Sequence, residues 1–267
     1  MNKDLKIGIA GLGLIGSSLL RVLHKKGYKI LSYSASSFNK AKEYSLDASD
    51  NLEILKDADV VFVCSTIEKT PEILEKLNPL LKKETIVTDV CSVKKDLLNK
   101  KYNFDFILSH PMAGNENSGF DSGDEKLFNK AKWLIEKNNS VLEEIIKDTG
   151  AIPLVVNMNI HDKLCAQISH LPTILSFLLF NSASDEAKQI ASSGFRDMTR
   201  LAQTNSTLAI NMFNNNLDNI LETFKTLENK LNDLKNMSDD EKIKLFKDTA
   251  SKRTEMYDGN GKNIFKI

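Results

Sequence analysis

The segment Ser109-His-Pro-Met-Ala-Gly-Asn-Glu-Asn-Ser-Gly119 places one histidine, one glutamate, two serines and two glycines within eleven positions. Polar and flexible residues weaken a core, so this mixture serves packing poorly. Its histidine titrates near neutral pH, and it follows the apolar, strand-like run Phe104 to Leu108. A loop held at the end of a rigid strand is a common way to present a proton-transfer group. On its own, the segment is equally explained by His110 and Pro111 ending a strand and opening a turn. The rest of the chain tips the reading toward chemistry.

A second constellation is Gly11-Leu-Gly-Leu-Ile-Gly16, which follows the short strand-like run 5–10 and opens a helical run to Lys26. Gly11 allows the tight turn, Gly13 lets a pyrophosphate approach the backbone, and Gly16 lets helix and strand pack closely. The phosphates would sit at the positive end of the helix. The residues expected at this site are Gly11, Leu12, Gly13, Leu14, Ile15 and Gly16, with Ser34 and Ser65 beyond them. The second strand, Tyr28 to Ser34, ends without the usual Asp or Glu for a ribose 2′-hydroxyl. Ser34 stands near that position, with Ser36, Ser37 and Lys40 close by, and no arginine is there for a 2′-phosphate. The expected cofactor is NAD or NADP, with NAD slightly ahead.

The third constellation is Gly194-Phe-Arg-Asp-Met-Thr-Arg200. Only four of the 36 basic residues are arginine, and Arg196 and Arg200 are two of them. At i and i+4 they share a helix face, and a planar fork suits a carboxylate. The alternative is a surface pair with Asp197 between them. The scarcity of arginine favours a shared pocket.

Several elements must hold these groups. Asp59–Cys64 is a continuous apolar run, as for a strand buried on both faces. A helix is expected from Thr70-Pro71 to about Leu81. Further strands are expected at Thr85–Val90, Phe104–Leu108 and Trp133–Ile135, the last at Gly150–Val156. Alternating strands and helices predict an α/β class: a doubly wound parallel sheet over residues 1–157. From Asn159 only helices are expected, giving an all-helical dimerisation and substrate domain over 158–267. Leu164 to Phe180 is apolar nearly all round and predicts a buried helix. Phe213, Leu217, Ile220, Phe224, Leu227, Leu231 and Leu234 form an apolar seam expected on one long helix. Ser238-Asp-Asp-Glu241 fits a capping box for a final helix.

Length and composition bound the rest. The 267 residues favour two domains, and the hydrophobic fraction of 41% supplies a core. Basic and acidic residues both number 36, so charge offers no support for nucleic acid or an acidic membrane as the partner. Cys64, Cys91 and Cys165 lack metal-ligand spacing and read as reduced thiols of a cytosolic protein, with no metal expected. Met1 leads directly into a strand without a cleavable signal pattern, and no apolar segment is expected to reach the roughly 20 residues of a membrane span. The expectation is a cytoplasmic protein.

Four further segments accompany these: Asp89-Val-Cys-Ser-Val-Lys94, His161-Asp162, Ser169-His-Leu-Pro172 and Gly194 to Arg200. With the glycine turn and the His110 segment, they resemble the prephenate dehydrogenase family of tyrosine biosynthesis, which includes arogenate and cyclohexadienyl dehydrogenases. The resemblance covers roughly residues 5 to 205. It implies a nucleotide-binding domain joined to a helical, homodimeric one, and oxidative decarboxylation of prephenate or arogenate. By resemblance His110 draws the proton from the substrate's 4-hydroxyl, and Ser92 hydrogen-bonds the same hydroxyl. Arg200 binds a substrate carboxylate, with Arg196 beside it or holding a neighbouring acid, and Glu116 and Asp197 organise the arginines. Blander roles remain open: Ser92 as a helix cap near Val93, Lys94 at the surface or on a phosphate, and His161 and His170 as structural histidines. His170 also stands as a candidate for lining the pocket. Where the family commonly reads S-H-L-P-H, this chain has Thr173, so substrate preference turns on that position. With the sequence ending at Ile267 no appended regulatory domain is expected, and any tyrosine inhibition is expected to act at the active site. Two other readings compete: a reductase of another small acid, and a non-catalytic dinucleotide sensor.

Overall fold

The computed structural model describes residues 3–44, 47–115 and 117–258. The strands are β1 (Lys6–Ala10), β2 (Lys29–Tyr33), β3 (Asp47–Ser49), β4 (Val60–Val63), β5 (Ile86–Asp89), β6 (Asp105–Ile107), β7 (Ser109–Pro111), β8 (Lys132–Ile135) and β9 (Ile152–Val155). The α-helices are α1 (Leu14–Lys25), α2 (Phe38–Ala41), α3 (Thr70–Leu77), α4 (Ser140–Asp148), α5 (Met158–Cys165), α6 (Leu171–Ser182), α7 (Asp185–Gln189), α8 (Ser193–Thr199), α9 (Ser206–Asn215), α10 (Leu217–Asn236) and α11 (Asp239–Asp258). They fall into two compact units, Met1–Leu217 and Asp218–Ile267, and α5 to α9 belong with the sheets in the first.

Six parallel strands form the main sheet in the order β3-β2-β1-β4-β5-β6. This order has a switch point beside β1, where doubly wound sheets bind nucleotides. Strand periodicity divides the core. Val60 and Phe62 pack with α1 residues Leu19, Leu20 and Leu23 on one face. Val61 and Val63 pack with α3 residues Leu74 and Leu77 on the other. All four β4 side chains are buried, which accounts for the unbroken apolar run.

Several expectations are corrected. Trp133–Ile135 and the 150–156 strand leave the main sheet and join β7 in a second sheet, β7-β8-β9. His110 therefore sits within strand β7, paired antiparallel to Leu134, and not on a loop. The helix from Thr70 ends at Leu77 instead of about Leu81.

The run expected to be one buried helix belongs to a longer one, Met158–Ser182, broken by a π turn at Ala166–His170. Ile168 is 69% exposed and Leu178 50%, whereas His161, Cys165, His170, Thr173 and Ser176 are buried. Its inner face thus mixes these polar groups with the buried Met158, Ala166 and Leu171, and much of its remaining apolar surface faces out. At 25 residues it is long and apolar enough to cross a membrane, by length and composition only, contrary to the expectation for every segment; 33% of its most apolar window is buried in the protein.

The apolar seam is also interrupted. Phe213 lies on α9 and the other six residues on α10, with Asn216 between them. The Asn216 side chain is buried and donates to the Asp162 carbonyl at 2.8 Å, leaving the helical path to do so. In the second unit, Ser238 and Glu241 form the expected capping box. Glu241 accepts from the Ser238 backbone at 2.8 Å, and Ser238 Oγ accepts from the Glu241 backbone at 3.4 Å.

Candidate active site

The glycine turn fits a dinucleotide. Gly11 has φ of +105°, and a Cβ there would lie 2.5 Å from the Cys64 carbonyl oxygen. A Cβ on Gly16 would overlap the Gly11 carbonyl at 1.9 Å, so both positions require glycine. Gly13 has open space above it, and no side chain caps or acidifies the first turn of α1. Free backbone N–H groups at a helix N-terminus form an anion seat. Leu14 and Ile15 open α1, whereas the Leu12 side chain belongs to the core, leaving its backbone for any contact. Ser34 follows β2 directly and its Oγ accepts from the Ser37 backbone at 3.0 Å. Ser65 follows β4 by two residues, and Lys40 pairs with Asp121.

Below the turn, Asp89 ends β5 with its carboxylate fully buried. It accepts from the backbone of Cys91 at 2.9 Å and of Ser109 at 3.1 Å, and it pairs with Lys94. Lys94 Nζ also donates to the Ser109 carbonyl. Ser109 Oγ donates to the Asp89 carbonyl and accepts from Thr88 and Trp133 at 2.8 and 3.0 Å. These bonds clamp the start of β7 and so aim the next residue, His110. Lys94 is neither a surface residue nor placed for a phosphate; it is wholly buried.

His110 meets His161, with His110 Nδ1 3.0 Å from His161 Nε2. His161 Nδ1 is 2.7 Å from Asp162 Oδ1. The carboxylate accepts from Nδ1–H of His161, and Nε2 of His161 faces Nδ1 of His110, so the contact is completed with Nδ1–H of His110 as the donor. This chain assigns the tautomers and leaves the lone pair of His110 on Nε2, which has no partner among the described residues. Burial, then the charges of Lys94, His161 and His170, hold the His110 pKa well below the usual histidine value, so the ring is neutral at pH 7. Asp162 also accepts from the Lys94 and Lys95 backbones at 2.8 and 2.9 Å. Ser92 therefore caps no helix; it is half-buried on a bend, without a side-chain partner among the described residues.

The sequence assigns no part to Asp89 or Asn216, places Lys94 at the surface or on a phosphate, and gives His161 only a structural role. The histidine-aspartate pair and the D-V-C-S-V-K segment carried the available signal. His170 is held by Asn216 at 2.8 Å, with Nε2 buried and without a partner among the described residues. Burial pushes its pKa down to about 4, reinforced by His161 and opposed by Asp162. The unfolded chain protonates this ring below about pH 6.5, whereas the folded protein resists until about pH 4. Its stabilising contribution is complete above pH 6.5 and is lost as pH falls toward 4. Thermal melts should therefore show the wild type losing more stability between pH 7 and 5 than His170→Asn; parallel losses would contradict this.

Arg196 and Arg200 line one open cavity of about 620 Å³ with Phe177, Phe180 and Asp197. Neither His110 nor Ser92 lines it. Arg196 is exposed and lies 3.4 Å from Asp197, so that contact is the surface pair of the alternative reading. Thr173 is buried and donates to the Ser169 carbonyl at 2.9 Å. Ser176, one turn further, donates to the Met198 carbonyl and accepts from the Ala202 backbone, both at 3.0 Å. One helix thus connects the histidine cluster to the arginine cavity. Glu116 lies outside the described residues.

Comparison with known proteins agrees with this construction. Residues 19–152 match the prephenate dehydrogenase nucleotide-binding domain, and residues 157–249 match the dimerization domain of the same family. The chain is 29% identical to a prephenate dehydrogenase of Lactococcus lactis over 247 residues, 86% of this chain and 70% of that protein. It is 28% identical to a cyclohexadienyl dehydrogenase of Zymomonas mobilis, with 86% of each covered. The crystal structure of Synechocystis arogenate dehydrogenase superposes with a TM-score of 0.81 at 30% identity, covering 94% of this chain and 99% of that one. With both domain models matched in order and a solved relative spanning nearly its whole length, the chain belongs to the prephenate dehydrogenase family.

Proposed function

We propose that this protein is a cytoplasmic homodimer that converts prephenate to 4-hydroxyphenylpyruvate by oxidative decarboxylation, using NAD in preference to NADP. The observation that carries the reading is the Asp162–His161–His110 chain, which leaves a neutral imidazole with its lone pair on the outer nitrogen. Residues 1–157 bind the dinucleotide, and 158–267 supply the substrate side and the dimer contact. A dinucleotide held by its phosphates at the Gly11–Gly16 turn would supply an oxidised nicotinamide as the hydride acceptor. His110 Nε2 accepts the proton of the 4-hydroxyl while hydride leaves the carbon that bears it. Loss of carbon dioxide then returns electrons to the ring, and His110 gives the proton back to the phenolate oxygen. Ser92 hydrogen-bonds the same hydroxyl and orients it.

Arg200 takes a substrate carboxylate, with Arg196 and Asp197 beside it and Glu116 as an organising acid. His170 and Thr173 line the ring pocket, with Thr173 setting its shape. A charge-assisted contact is worth about 1.5–3 kcal/mol, so Arg200→Ala should raise KM by roughly 10- to 150-fold with a smaller change in kcat. An unchanged KM would remove the carboxylate role. The dimer covers the outward apolar residues of α6, among them Leu178 and Phe180.

A second reading, arogenate as substrate, is favoured by Thr173, whose hydroxyl is satisfied within its own helix. NADP as an alternative cofactor is favoured by the absence of an acid beside Ser34. Reduced-dinucleotide absorbance with prephenate and arogenate, each against NAD and NADP, tests all four combinations. The first choice predicts the highest kcat/KM for prephenate with NAD; a higher value in another cell reassigns substrate or cofactor.

A further inference from the structure

No metal is expected from the cysteines, no two of which have ligand spacing; the fold brings a cysteine together with histidines from two segments. His110 comes from β7, and His161 and Cys165 come from successive turns of α5. His110 Nδ1 and His161 Nε2 are 3.0 Å apart. Cys165 Sγ is 3.4 Å from the latter and 3.9 Å from the former. A tetrahedral ion with bonds of about 2.0–2.1 Å to nitrogen and 2.3 Å to sulfur holds such donors roughly 3.3–3.6 Å apart. The three separations bracket that spacing, and all three residues are buried. Asp162 on the far nitrogen of His161 completes the carboxylate–histidine–metal arrangement typical of zinc sites.

We propose that His110, His161 and Cys165 form an inhibitory site for a divalent transition-metal ion of the zinc class. The proposal rests on His110 being the catalytic base. Binding forms two metal–nitrogen bonds and one metal–sulfur bond, leaving the fourth position to water. Cys165 releases its thiol proton to solvent. The proton on His110 Nδ1 exchanges through solvent to Nε2, so the ring stays neutral while its lone pair turns from substrate to metal. The Nε2–H that results cannot accept the 4-hydroxyl proton. Without metal, the catalytic tautomer persists.

The test uses full-length, chelator-treated protein, with Cys165→Ala and the volume-filling Cys165→Val alongside. Cobalt(II) should bind the wild type at one ion per chain and produce a thiolate-to-cobalt charge-transfer band that both variants lack. Zinc should suppress wild-type turnover at least tenfold, reversibly by chelator. The variants should keep wild-type basal turnover and need at least tenfold more zinc for the same inhibition. A wild type without the band overturns the site, as does a band or a zinc sensitivity that survives in either folded variant. The cobalt spectrum needs no substrate. A band in a chain that turns over neither acid would therefore sink the functional reading while leaving the metal site standing.

Discussion

Replacing His110 with asparagine is expected to lower kcat by about 100- to 10,000-fold, the usual range for a positioned acid–base group. Asparagine retains polarity and approximate size, and its side-chain nitrogen can still donate toward His161, but it has no basic nitrogen at the place of Nε2. Dinucleotide affinity should stay within a few-fold of wild type, because the glycine turn lies on β1 and α1 while His110 lies on β7. Steady-state kinetics with fluorescence titration of the reduced cofactor separates the two effects. Near-normal turnover would remove His110 from its role. A parallel loss of cofactor binding would show a collapsed site instead.

The largest effect on stability is expected at Lys94. Lys94 and Asp89 are both wholly buried and paired, and Lys94 also bonds the carbonyl of Ser109. Lys94→Met keeps much of the volume but leaves the Asp89 carboxylate buried without its countercharge. Breaking one side of such a pair costs about 3–5 kcal/mol. The two backbone donors to Asp89, Cys91 and Ser109, remain and offset part of that loss. Urea unfolding should place the variant about 3 kcal/mol or more below wild type, and Asp89→Asn added to it should recover part of the difference. A loss under about 1 kcal/mol, or no recovery in the double variant, would contradict the assignment.

The parts of this fold legible from sequence are those specified locally. The glycine turn has its three glycines at fixed spacing after a strand, and Gly11 and Gly16 are demanded by backbone approach. The β4 run reads as doubly buried because four consecutive apolar residues leave no polar face. The capping box at Ser238 depends only on two residues three apart. The parts that were not legible depend on partners distant in sequence. Strand β7 has three residues and exists through pairing with β8, more than twenty positions on. The buried face of the 158–182 helix was hidden because its apolar residues lie all round, while its buried polar groups are fixed by contacts with Lys94, His110 and Asn216. Lys94 reads as a surface residue or a phosphate contact because buried lysine is rare. Its only local hint was an aspartate five residues earlier, at the end of a strand.

The central claim is most directly tested by stoichiometry. Purified protein is supplied with prephenate and NAD, and reduced dinucleotide, carbon dioxide and 4-hydroxyphenylpyruvate are each quantified from the same reaction. The account predicts equimolar amounts of all three, formed by the wild type and lost with His110→Asn. Folded protein that binds the dinucleotide but yields neither reduced cofactor nor aromatic product, from prephenate or from arogenate, would contradict it.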